Sequence, residues 1–162
     1  MGGRLPRRRR LLAAAAGALL LSLLSAAGEA PRDLFAHTNA RFYRGEIGMP
    51  TSWEGVIRIT GTVVIRETVT VTVEPGTEVL VQPGGGVDIV VRGRLLVRGT
   101  PARPVVFDTA GGCGAGPWGG IVFEKGSSGV LENASIRCAS KGIGGDTSRV
   151  AQAGVTVTRG GR

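Results

Sequence analysis

Histidine is nearly missing from the chain: His37 is the only one among 162 residues. No serine or cysteine partner for it can be identified by spacing, which argues against a nucleophilic triad. Zinc is not expected either, because a zinc site takes about four Cys, His or carboxylate ligands and His37 is the only histidine beside two cysteines. Calcium needs about six or more oxygens. No run of the Gly-Gly-x-Gly-x-Asp kind is present, and Gly144-Gly145-Asp146 stands alone. The glycine-rich segment at residues 111–116 lacks the helix into which a phosphate-binding loop opens. The expectation is therefore no metal and no cofactor.

Charge is missing from one long stretch. The start holds Arg4, Arg7, Arg8, Arg9 and Arg10, after which the run of Leu, Ala, Gly and Ser carries no charge until Glu29. A basic start, an apolar stretch and the small residues Ser25-Ala26-Ala27 read as a secretory signal over residues 1–28. The alternative is a retained membrane anchor, since the run approaches the ~20 apolar residues that span a bilayer; the small-residue end favours cleavage. The formal charge is +8, from 20 basic and 12 acidic residues, but five arginines leave with the signal, so 15 basic face 12 acidic side chains, a net of +3. A nucleic-acid partner is not expected, because the basic excess sits mainly in the removed part. The expected location is secreted, periplasmic or cell-surface, with no membrane attachment after cleavage. Cys113 and Cys138 fit that destination as a disulfide closing a loop of about 25 residues, which would contribute on the order of 3 kcal/mol. The alternative is two free thiols, one in a glycine loop and one buried.

What the sequence holds in quantity is short runs of Val, Ile and Thr. Residues 56–59, 62–65, 69–73, 77–81, 87–91, 95–97, 105–107, 121–123 and 131–136 are β-type, bounded by punctuation such as Gly61, Pro75-Gly76 and the glycines of residues 83–86. The connection inside VTVTVEPGTEVLV decides the architecture. A proline sets φ to about −65° and a following glycine accepts positive φ, so Pro75-Gly76 suits a type II turn, which splays its flanking strands. That geometry predicts a corner rather than a hairpin. A chain that turns corners without reversing finds its strand partners one lap later, as in a parallel solenoid. Thr68, Thr70 and Thr72 alternate with Val69, Val71 and Val73, which gives one inward and one solvated face. Only residues 31–49 have helical character: Leu34, Phe35, Thr38 and Phe42 fall near one face, Asp33 can cap the start and Gly45 can end it.

The segments GTVVIRETVTVTVEPGTEVLV, RGRLLVRGTPARPVVF, PWGGIVF and VLENASIRCASKGI together resemble bacterial exported right-handed parallel β-helix proteins of the pectin-lyase-like superfamily. The family's corners resemble Pro75-Gly76-Thr77, its GrLlv-GT-PV-F phrase matches residues 93–107, and its Trp-Gly-Ile strand resembles residues 118–121. The resemblance covers more than half of the chain. It implies an all-β fold, a right-handed parallel β-helix (solenoid) over residues 51–148. At the 20-odd residues per lap usual for repeat units there is room for roughly four coils. A short N-terminal cap segment at residues 29–50 is expected to cover the core through Leu34, Phe35 and Phe42. Residues 149–162 are expected to be an uncapped tail, with Val155 and Val157 available for one last strand. Relatives run through more coils, so the chain is expected to be short or C-terminally truncated, with an open last coil available for self-stacking.

Polysaccharide lyases and hydrolases on this fold cluster carboxylates on one outer face. Glycosidic hydrolysis needs two carboxyls about 5–10 Å apart, and strands in neighbouring laps lie about 4.8 Å apart. Asp108 and Glu124 make the best pair, each directly following a Val-Phe strand end in PVVFD and GIVFE; the favoured alternative is that both are solvated corner residues. Arg92, Arg94, Arg98 and Arg103 are the candidates for contact with acidic polysaccharide or a cell-envelope component, against a plain solubilising role. Asn133-Ala134-Ser135 fits a glycosylation sequon and reads better as a β-helix asparagine position. The functional expectation is an exported, non-catalytic module with a structural or surface- and glycan-binding role. The alternative is a polysaccharide lyase or glycoside hydrolase, or a truncated remnant of one.

Overall fold

Alternation of Val and Ile with polar residues builds short strands that bury every second side chain. The computed structural model describes residues 40–160. Their strands are β1 (Arg41–Ile47), β2 (Thr51–Trp53), β3 (Val56–Ile65), β4 (Thr70–Val73), β5 (Glu78–Val81), β6 (Asp88–Val91) and β7 (Arg94–Arg98). They continue as β8 (Val105–Thr109), β9 (Trp118–Phe123), β10 (Ser128–Glu132), β11 (Ala134–Arg137), β12 (Ala139–Gly145), β13 (Val150–Ala153) and β14 (Thr156–Thr158). A single 3-10 turn, Cys113–Ala115, interrupts the series, and no α-helix occurs among the described residues.

Every ladder among these strands is parallel. No strand pairs with its neighbour in sequence. From β4 onward each strand with a later partner pairs with the third strand after it, so β4, β7, β10 and β13 form one series, β5, β8, β11 and β14 a second, and β6, β9 and β12 a third. The first series continues through β2 as a five-stranded sheet; β3 and β1 join the other two into a nine-stranded sheet. β3 does so because its first half pairs with β5 and its second half with β6. Parallel partners cannot be joined by a tight turn, and here two other strands lie between them.

Register keeps like residues over one another. Ile57, Val79, Phe107 and Ile136 form one inward row, and Trp53, Val73, Val97 and Leu131 another. All eight are buried. Each such side chain removed from water contributes roughly 1.5–3 kcal/mol, so the core is a set of aliphatic and aromatic columns running across the ladders.

The corners carry local chemistry. In Glu74-Pro75-Gly76-Thr77 the Thr77 N–H donates to the Glu74 carbonyl at 3.2 Å, with Gly76 at φ 80°. That is the type II turn expected from Pro-Gly. Its flanking strands, β4 and β5, lie in different sheets. The Thr77 hydroxyl also donates to the Glu74 carbonyl, at 2.7 Å. Glu124-Lys125-Gly126-Ser127 repeats the arrangement: the Ser127 N–H and hydroxyl donate to the Glu124 carbonyl at 3.1 and 2.6 Å.

Three expectations need correction. The helical segment gives way at Arg41–Ile47 to a strand paired with β3. Phe42 is 67% exposed and covers no core. The reason is pairing: the free edge of β3 supplies a ladder, with a register break between Tyr43 and Gly45, and Tyr43 and Ile47 reach the core. Leu34, Phe35 and the segment read as a signal lie outside the described residues. The run at residues 131–136 is broken at Asn133, whose φ of 44° separates β10 from β11. Strands also reach past both ends of residues 51–148: β1 lies before them, and β13 and β14 occupy the segment read as a tail.

Candidate functional site

The turns that follow β3, β6 and β9 lie one above another because those strands are paired. Their outer surface forms a groove of about 400 Å³ whose lining includes Glu67, Thr70, Arg92, Arg94, Lys125 and Ser128. Arg94, Thr70 and Ser128 share one register row at the starts of β7, β4 and β10. Arg92 precedes that row and donates from Nε to Glu124 Oε2 at 3.0 Å. This hydrogen bond, and then the charge of Glu124, raise the Arg92 pKa above its ordinary value. Among the described residues no carboxylate forms an ion pair with Arg94 or Lys125.

The four arginines singled out in the sequence therefore separate. Arg92 and Arg94 line the groove. Arg98 ends β7, about 13 Å from Arg94 at the rise of an extended strand, and is in register with Glu132. Arg103 serves a corner: its carbonyl accepts the Gly76 N–H at 3.0 Å and its guanidinium lies against Gly76, where a Cβ would fall 3.1 Å from Nε. Lys125 was not singled out. The parallel between Glu-Lys-Gly-Ser and Glu-Pro-Gly-Thr was the signal that could have found it.

Asp108 and Glu124 are not brought together. Asp108 lies on β8 and Glu124 follows β9, two strands separated in the sheet by β6, β3 and β5. Asp108 instead has Oδ2 3.9 Å from Arg137 Nη1, while Oδ1 accepts the Thr109 N–H at 2.7 Å and touches the Cys138 sulfur at 3.2 Å. Glu124 is committed to Arg92. The acid pair that carried the hydrolase alternative is thus absent from the geometry, and each acid has a local structural partner.

Another acid was overlooked. Asp88, 14% exposed at its side chain, accepts from Lys141 Nζ at 2.7 Å through Oδ2. Its second oxygen, Oδ1, is buried without a hydrogen-bond partner. Asp88 is in register with Gly120 of β9, and Gly120 with Gly142 of β12, so the ion pair reaches across a strand. A Cβ at Gly119 would collide with the Asp88 carboxylate, which explains the glycine there. The Gly119-Gly120 pair in PWGGIVF was the readable trace of this clamp.

Cys113 and Cys138 form a disulfide with their Cα atoms 5.3 Å apart. It ties the loop between β8 and β9 to the corner between β11 and β12. Asn133 is half-buried and donates from Nδ2 to the Gly99 carbonyl at 3.0 Å, bridging stacked corners. That bond supplies the structural role expected for the asparagine.

Comparison with protein-family models, with curated proteins and with solved structures finds no match.

Proposed function

We propose that the chain is a right-handed parallel β-helix of about four coils, related to the pectin-lyase-like superfamily. In this reading it is an exported, non-catalytic module that holds acidic polysaccharide or another anionic cell-envelope component. The winding is supported by the third-strand pairing, which a solenoid with three strands per lap requires. Export is supported by the basic and apolar N-terminal pattern, together with a disulfide of the kind that persists in oxidising compartments. The observation that carries the binding role is the groove in which Arg94 and Lys125, beside the Arg92–Glu124 pair, form no ion pair among the described residues and outnumber the one further acid of the lining, Glu67. Stacked laps repeat about every 4.8 Å, a spacing on which an extended polyanion can place successive charges.

Binding of the purified protein to polygalacturonate, alginate and a glycosaminoglycan tests the reading. Affinity should fall with added salt. The Arg94→Ala/Lys125→Ala double variant should weaken binding about tenfold, the sum expected of two exposed charge contacts. New unsaturated or reducing ends that disappear in Asp108→Asn would overturn the non-catalytic reading. Unchanged binding by the double variant would overturn the groove.

A further inference from the structure

The disulfide has an unusual neighbour. One carboxylate oxygen of Asp108 and the sulfurs of Cys113 and Cys138 lie within 4.8 Å of one another. Asp108 is half-buried, Cys138 buried and Cys113 exposed. The carboxylate is held in place by the Thr109 N–H at 2.7 Å, and Arg137 lies 3.9 Å away on its other oxygen. A carboxylate has about four lone-pair sites, so these contacts leave it able to ligate.

We propose that reduction of Cys113–Cys138 converts this corner into a site for a thiophilic divalent cation such as zinc, with two thiolates and Asp108 as ligands and solvent in the fourth position. Zinc accepts this donor set, with bonds of about 2.3 Å to sulfur and 2.0–2.2 Å to oxygen. Tetrahedral ligands at those distances sit about 3.5 Å from one another, so the oxygen is already near its place and only the two sulfurs must part. The chain provides for that on one side. Cys138 is fixed by the paired strands that flank it, while Cys113 lies in Gly-Gly-Cys-Gly-Ala-Gly, a loop whose only ladder contacts are at its ends. Exposure of Cys113 gives both reductant and cation a way in.

The steps balance. A dithiol supplies two electrons and two protons, closing to its own disulfide, and the Cys113–Cys138 bond opens to two thiols. The cation then displaces both thiol protons to solvent. Disulfide and metal are mutually exclusive occupants of one corner, and the compartment's redox poise selects between them.

Cobalt(II) is the probe, added without oxygen to the full chain after reduction by a phosphine, which takes oxygen from water and leaves two thiols. Saturating thiolate-to-cobalt absorption at one equivalent, bleached by zinc, is the expected result; the oxidised protein should show none. Cys138→Ser and Cys113→Ser should abolish the band. Asp108→Asn should retain two titratable thiols and lose about tenfold or more in cobalt affinity. Zinc should also raise the melting temperature of the reduced protein, since a cation held only by the folded state stabilises it. Absence of the band at excess cobalt while two thiols titrate would overturn the proposal, and so would an unaltered affinity in Asp108→Asn. Loss of β-structure on reduction that zinc fails to restore would overturn it too.

Discussion

Ile136 and Val157 occupy adjacent places in one inward row, yet the first is fully buried and the second 43% exposed. The local sequences do not account for the contrast, since each is an aliphatic residue in a short strand flanked by polar ones. Position does. Ile136 has a strand on either side, β8 and β14, while among the described residues β14 pairs on one side only, with β11. In this architecture burial comes from the layers above and below, and the same side chain is core in one layer and surface in the outermost.

The largest expected effect tests that difference directly. Phe107→Ala, in the middle of the row, should cost about 3–5 kcal/mol, whereas Val157→Ala should change stability by about 0.5 kcal/mol or less. Denaturant unfolding monitored by far-UV dichroism measures both, and equal losses would break the comparison. A smaller contrast comes from glycines. A Cβ at Gly93 would meet the carbonyls of Arg66 and Val69, while one at Gly144 would meet nothing within 4 Å. Gly93→Ala should therefore cost about 1–3 kcal/mol through forced backbone shifts. Gly144→Ala should be close to neutral in the same assay.

The smallest effect concerns pH at the outer layer. The Ser148 hydroxyl, and then the Ser148 N–H at 3.2 Å, hold the Asp146 pKa below the ordinary carboxylate value. A depressed folded-state pKa means that the unfolded chain binds the proton first. The associated stability is present above about pH 4 and is lost as pH falls through the folded value. A carboxyl titration by NMR should place Asp146 low, and Ser148→Ala should move it up; no movement would remove the assigned cause.

The same contrast between local and layered information decides how much could be read from the sequence. The Pro75-Gly76 corner was legible because proline and glycine fix the turn by themselves. The alternation in VTVTV gave the inward face for the same reason. Arg41–Ile47 was misread, since a few apolar residues fit a helical face as well as a strand and only the free edge of β3 decides between them. Asp108 and Glu124 looked equivalent because both follow a Val-Phe pair; their separation depends on which ladder each strand joins, and nothing local carries that. The break at Asn133 escaped because an asparagine inside an aliphatic run looks like a strand residue until its corner partner, the Gly99 carbonyl, is known. Lys125 and the Asp88–Lys141 clamp left only indirect traces, the Glu-Lys-Gly-Ser corner and the Gly119-Gly120 pair, because their partners lie many positions away.

The third-strand pairing rule has a consequence for synthesis. Once β4 has paired with β2, every later strand finds a partner already translated: β5 and β6 on β3, β7 on β4, and so on along the three series. Order of emergence and order of assembly coincide, so a nascent chain can add its ladders one at a time and leave little bare edge at any moment.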